Sequence, residues 1–313
     1  GAAGVGMTFG VLQYIFTSKS LGDAGRFPKL SPEEDQNKYI SLFKYSSAII
    51  VVTVITGFLG FWSINPELLN QLTVYLILVV ATAYFIYLFF FAGLNKTETD
   101  NMKMLLLLFF GSVLFWAGFD QGGSSLNLFA KDYTDLYVFG WEMPATFLQV
   151  ANPLMVVIFA PFFASFWIIL GRRNLDPDTP QKFALGCFLM AIGFFVIIFG
   201  VEAAMQNEKA GIQFLLITYL FHTLGELCLS PVGLSATAKY SPVKYRGQMM
   251  GIWFLSSSLA AGLAGLLASK SFESGISSMP DLFQQIIFAL CFVGIFLLIA
   301  NKFVKATEIV DEK

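Results

Sequence analysis

The chain is poor in the groups on which water-soluble chemistry depends. Of its 313 residues only 13% are charged, and there is one histidine, His222. A soluble domain is nearer a quarter charged. One imidazole excludes a metal site built from several histidines. No P-loop, GxGxxG, HExxH, CxxC pair or GxSxG occurs, so the usual phosphate, dinucleotide, zinc-protease, redox and serine-hydrolase signatures are missing. The three cysteines, Cys187, Cys228 and Cys291, all sit in apolar runs, which predicts buried free thiols rather than disulfides. The basic residues flank apolar runs without interleaved aromatics, so nucleic acid is not expected as a partner. The sequence opens on glycine rather than methionine, and its first residues do not show the pattern expected of a signal peptide. The opening GAAGVGMTFGVLQYIF reads as the back end of a membrane helix, so an earlier part is expected to be missing.

What the chain has instead is oil: 56% hydrophobic residues and a mean hydropathy of +0.70. Crossing the hydrocarbon core takes about 20 apolar residues in a helix. That spacing predicts an all-α integral membrane protein. Residues 1–16 are a partial span and 17–40 a polar loop. Runs at 41–62 and 68–92, joined by a turn at 63–67, form a hairpin carrying Lys44 alone, read as a lipid-facing structural element. Residues 93–103 are a polar linker. Spans follow at 104–130, 144–170, 182–205, 211–238, 247–269 and 282–303, giving eight complete spans, with 304–313 as a tail. Alternating the loops leaves only Lys131, Lys209 and Lys270 of the 19 Lys and Arg on one side. The other side, with the C-terminus, is therefore cytoplasmic.

Ionisable residues at bilayer depth are rare and tend to mark a pathway or a site. Phe214–Tyr240 carries two, His222 and Glu226. His222, Glu226, Ser230 and Leu234 are spaced four apart and so share one helix face, and Pro231 permits a kink near Ser230. His222 is either a proton relay or a hydrogen-bond partner of Glu226. A second stretch, FWAGFDQGGSSLNLFA at 115–130, holds Asp120 mid-span, with Trp116 one turn earlier and Gln121, Ser124, Ser125 and Asn127 after it. A charge there costs about 2.5–3.5 kcal/mol to insert. The amide and hydroxyls suggest that water or a partner reaches it, and the alternative is a structural ion pair. The pair Gly122–Gly123 allows close packing or bending. Asn152, before Pro153, is either a cavity group or interhelical glue. Trp253, in MGIWFLSSSLAAGLAGLLA, is either packing or a ligand platform.

FWAGFDQGGSSLNLFA, then Asn152–Pro153, GELCLSPVGLS and MGIWFLS closely resemble the C-terminal half of bacterial proton-coupled oligopeptide transporters, of the major facilitator superfamily. The resemblance covers essentially the whole chain. It implies that 1–16 end core helix six, that 41–92 are an extra two-helix insertion, and that 104–303 are core helices seven to twelve. It further implies that Asp120 forms an outer gating ion pair with an arginine of the N-terminal half. Glu226 would lie in the central cavity, associated with the peptide's amino terminus and a helix-four lysine, and Asn152 would face the same amino terminus. Trp116, Phe119, Ser230, Leu234 and Trp253 match positions lining side-chain pockets or the gate. The family's ExxER-type motif, carboxylate-binding arginine and helix-four lysine belong to the N-terminal half and do not occur here.

These matches imply symport of di- and tripeptides across the bacterial inner membrane by alternating access. The proton gradient supplies the energy, no metal or cofactor is implied, and the partners are peptide, protons, lipid and the N-terminal six-helix bundle. Another small solute such as nitrate or an amino acid is the alternative. An enzyme using Asp120 and Glu226 as acid and base would need a metal or nucleophile that is not evident. A scaffold would not need midplane carboxylates. The transport reading requires both acids to reach an aqueous space rather than lipid.

Overall fold

In the computed structural model, residues 2–21, 33–60, 65–138, 140–207, 209–304 and 306–307 are described. The chain divides into two units, residues 1–65 and 66–313. The first contains α1 (Ala2–Thr17), a short 3-10 turn (Ser18–Leu21) and α2 (Glu33–Phe58). The α2 helix begins inside the stretch read as a loop. Residues 22–32 of that loop, and 61–64 of the hairpin turn, lie outside the described residues.

The second unit contains α3 (Pro66–Phe90), α4 (Lys96–Phe119), α5 (Ser125–Tyr133), α6 (Ala151–Arg172), α7 (Thr179–Asn207), α8 (Gln213–Tyr240), α9 (Arg246–Ser274) and α10 (Met279–Ala300). Two residues of parallel strand pair Thr134 with Ala210 and Asp135 with Gly211. A small antiparallel bridge joins Tyr137–Val138 to Trp141–Glu142. Among the described residues, eight segments are long and apolar enough to cross a membrane, and α1, at 16 residues, is not one of them. The eight spans expected from the sequence are therefore present.

Two of these helices depart from the expected spans for local reasons, and a third does not break where a proline would allow it. α4 starts at Lys96, within the supposed linker, because Asn95 and Glu98 form a capping box: Glu98 N donates to Asn95 Oδ1 at 2.9 Å, and Asn95 N to Glu98 Oε2 at 3.0 Å. The third span is not one helix. It stops at Phe119, makes a 3-10 turn over Asp120–Gly123, and resumes at Ser125. α8 runs unbroken through Pro231, so the interruption falls at Asp120 and not at the proline.

α3 is more than a lipid-facing element. It buries Val74, Ala81, Phe85 and Leu88, and Asn70 Nδ2 donates to Gly262 O on α9 at 3.2 Å. Tyr84 Oη donates to Gln248 Oε1 at 2.7 Å. α7 and α8 approach most closely at Gly186 and Gly225. A Cβ on Gly186 would lie 2.9 Å from Gly225 O, and one on Gly225 would lie 2.7 Å from Gly186 O. Only glycine permits that backbone contact. It fixes the stretch of α8 immediately before Glu226.

Candidate functional site: two acids in adjoining cavities

Glu226 sits near the midpoint of α8, half-buried. Its Oε2 accepts from Asn152 Nδ2 at 2.9 Å. The same Nδ2 donates to Thr223 Oγ1 at 3.0 Å, and that hydroxyl donates to Tyr219 O at 2.7 Å. One amide thus joins α6 to two successive turns of α8. α6 buries no residue completely, so this polar contact is prominent in holding it. Asn152 is both of the alternatives left open for it: glue between helices, and a cavity group.

Glu226, Ser230 and Leu234 line a cavity of about 830 Å³ between α6, α7 and α8, together with Lys182, Trp167 and Asp176. Leu234 is 40% exposed into it. Sequence reasoning took Lys182 only as an orientation signal. Its Nζ lies 2.8 Å from Asp176 Oδ1 and 4.9 Å from the centre of the Trp167 ring. Glu226's cavity therefore contains a cation already engaged by a carboxylate and an aromatic face.

Asp120 opens on a second cavity of about 540 Å³, lined also by Phe119, Gln149, Asn152, Tyr219, His222 and Ala264. Asn152 lines this cavity while its amide touches the carboxylate of the other. The acids thus line two separate cavities, Asp120 the smaller and Glu226 the larger. Among the described residues no side chain bonds or pairs with the Asp120 carboxylate. Gln121, whose amide suggested from the sequence that water or a partner reaches Asp120, is 0% exposed and bonded within the protein.

Two residues singled out from the sequence pack inside the protein. His222 does not bond Glu226. It is 2% exposed, its ring packs 4.7 Å from Phe194, and its Nε2 has no partner among the described residues. The ring is turned against α7 instead, where Phe194 and Gly193 pack on it. Trp253 lines neither cavity. It is 8% exposed, with its ring against Gly233 and 6.1 Å from that of Phe183, which is the packing alternative. Trp116 and Phe119 pack edge to face at 5.0 Å, and Phe119 is the one that reaches a cavity.

Residues 1–299 match the profile of the POT family. The chain belongs to the POT family. It is 36% identical over 245 residues to "Peptide transporter YePEPT" of Yersinia enterocolitica, an alignment covering 78% of this chain and 48% of that protein. It is 29% identical over 266 residues to "Dipeptide and tripeptide permease B" of Salmonella typhimurium, covering 85% and 52%. A crystal structure of peptide transporter POT in complex with sulfate superposes with a TM-score of 0.80 at 31% identity, covering 97% of this chain and 61% of that one. The POT chain spans about half the length of the curated relatives it matches. Its fold is the all-α, multi-pass membrane fold of major facilitator type.

Proposed function

We propose that this chain is the C-terminal half of a proton-coupled symporter for di- and tripeptides that works by alternating access. Residues 104–303 would form its six-helix bundle, 41–92 an inserted hairpin, and 1–16 the end of the sixth core helix. The observation that carries the proposal is the Glu226–Asn152 contact at 2.9 Å, on a cavity wall midway along α8. A peptide's ammonium would replace the Asn152 amide as the partner of the Glu226 carboxylate. The Asn152 carbonyl oxygen, turned toward it, would accept a second ammonium proton. Phe163 and Trp167 would leave room for varied side chains.

Buried carboxyls favour the neutral form, whereas a nearby cation favours the charged one. A carboxyl whose cationic partner comes and goes can therefore load and release a proton as the two bundles rock about a midplane site. Asp120, with no partner of its own among the described residues, would find that cation in the N-terminal half. The inner membrane is the expected location, with the C-terminus cytoplasmic. The relatives named as peptide transporters support the substrate class.

An amino acid is the second reading. A POT family neighbour, 25% identical with a TM-score of 0.77, was solved in complex with 5-aminolevulinic acid, whose ammonium could meet the same carboxylate. Thermal unfolding of the purified protein with dipeptides, tripeptides, amino acids and nitrate separates these. A ligand that binds the folded state at 100 times its Kd adds about 2.7 kcal/mol of stability. Stabilisation by peptides alone supports the first reading. Stabilisation by amino acids but not peptides supports the second, and by nitrate alone neither.

A further inference from the structure

We propose that Gln121 is the positioning residue of the Asp120 gate, coupling its carboxylate to movement of α9. The inference rests on the transport reading above and names a residue that the reading does not use. Gln121 lies inside the helix break, immediately after Asp120, and its carboxamide is completely buried. Every hydrogen-bonding direction of that amide is taken up at the break. Oε1 accepts from Ser125 Oγ at 2.7 Å and from Ser124 Oγ at 3.2 Å. Nε2 donates to Ala117 O at 3.3 Å, on the helix before the break, and to Ala264 O at 3.4 Å, on α9. The side chain therefore stitches α4, the 3-10 turn, α5 and α9 together at one point.

Asp120 has no such anchor. No described side chain holds its carboxylate, so the direction in which it points is set by the backbone of the turn that Gln121 fixes. Ala264 and its neighbours Ala261 and Gly265 line the Asp120 cavity but offer it no polar side chain. The Gln121 amide is thus the polar side-chain link from α9 to the gate in this wall. A shift of α9 moves the Ala264 carbonyl, loosens or tightens the turn, and re-aims Asp120. A carboxamide suits this role without carrying charge, because its NH2 donates twice and its oxygen accepts twice on one planar group. Leucine fills the volume and makes none of the four bonds. The titratable groups facing Asp120 across the cavity are Tyr219 and His222, both on α8, and the described lining residues of α6 and α9 are uncharged.

The test uses the complete transporter in proteoliposomes, with two readouts on each variant: dipeptide uptake driven by an imposed pH gradient, and dipeptide exchange at equal pH. Exchange needs the loaded carrier to change face but no net proton movement. Gln121→Leu is expected to lower driven uptake at least tenfold and exchange by less than twofold, with the pH profile of driven uptake flattened. Ser125→Ala, which removes one of the four bonds, is expected to change the ratio in the same direction to a smaller degree. It carries the test if Gln121→Leu does not purify as a folded protein. Driven uptake and exchange falling in proportion, or neither falling, overturns the inference. A wild-type protein that neither takes up nor exchanges peptides overturns the transport reading itself, and this inference with it.

Discussion

Asn152 is where glue and ligand chemistry meet, and the two roles have different signatures. A hydrogen bond to a charged group contributes about 1.5–3 kcal/mol, which corresponds to roughly a 10- to 150-fold change in affinity. If substrate exchanges with the amide at Glu226, Asn152→Leu raises the KM for dipeptide uptake by at least about tenfold. A purely structural Asn152 would instead lower thermal stability and leave KM alone. Trp253 is the converse case. Removing a buried tryptophan costs about 3–5 kcal/mol. Trp253→Ala is therefore expected to lower the Tm of the detergent-solubilised protein strongly, with KM changed by less than about twofold in whatever fraction folds. A large KM effect at unchanged Tm would return Trp253 to the binding surface. Asp120, Glu226 and Asn152 were legible in the sequence because polar groups in an apolar run are costly and therefore conspicuous. The bonds of Gln121 and Thr223 were not, since packing decides which neighbour a buried amide or hydroxyl reaches.

Along the helices, α7 carries Gly186, Gly193 and Gly200 at seven-residue intervals, and each receives a group of α8: Gly225, His222 and Phe214 respectively. Seven residues are close to two helical turns, so the three glycines form one stripe. Overfilling a packed interface costs about 1–3 kcal/mol. Gly193→Ala, whose Cβ would lie 2.6 Å from His222 Cδ2, is expected to lower Tm by several degrees. Thermal denaturation in detergent checks this, and an unchanged Tm would mean that α7 and α8 do not meet as described. The stripe was present in the sequence and went unread. The spans themselves were legible because length and apolarity suffice to define them. The break at Asp120–Ser124 was only half legible. A glycine pair permits either tight packing or bending, and the sequence alone does not choose between them. The α4 start was legible as Asn95-x-x-Glu98, but the charges around it read as a linker.

For the molecule as a whole, the Lys and Arg asymmetry sets a direction across the bilayer that is directly testable. In a background without Cys187, Cys228 and Cys291, Arg173→Cys is expected to react with an impermeant maleimide only from the cytoplasmic side, and Lys209→Cys only from the outside. The reverse pattern would invert the topology. That Asn152 lines the Asp120 cavity while bonding Glu226 could not be read from sequence, because it depends on how α6 lies on α8. The roles of the two acids now hang on proton movement. The deciding measurement is uptake of labelled dipeptide into proteoliposomes under an imposed inward proton gradient, comparing the complete wild-type transporter with Glu226→Gln. Accumulation by the wild type that collapses in Glu226→Gln is the expected result. Undiminished gradient-driven accumulation in Glu226→Gln would contradict the assignment of proton and peptide to that carboxylate.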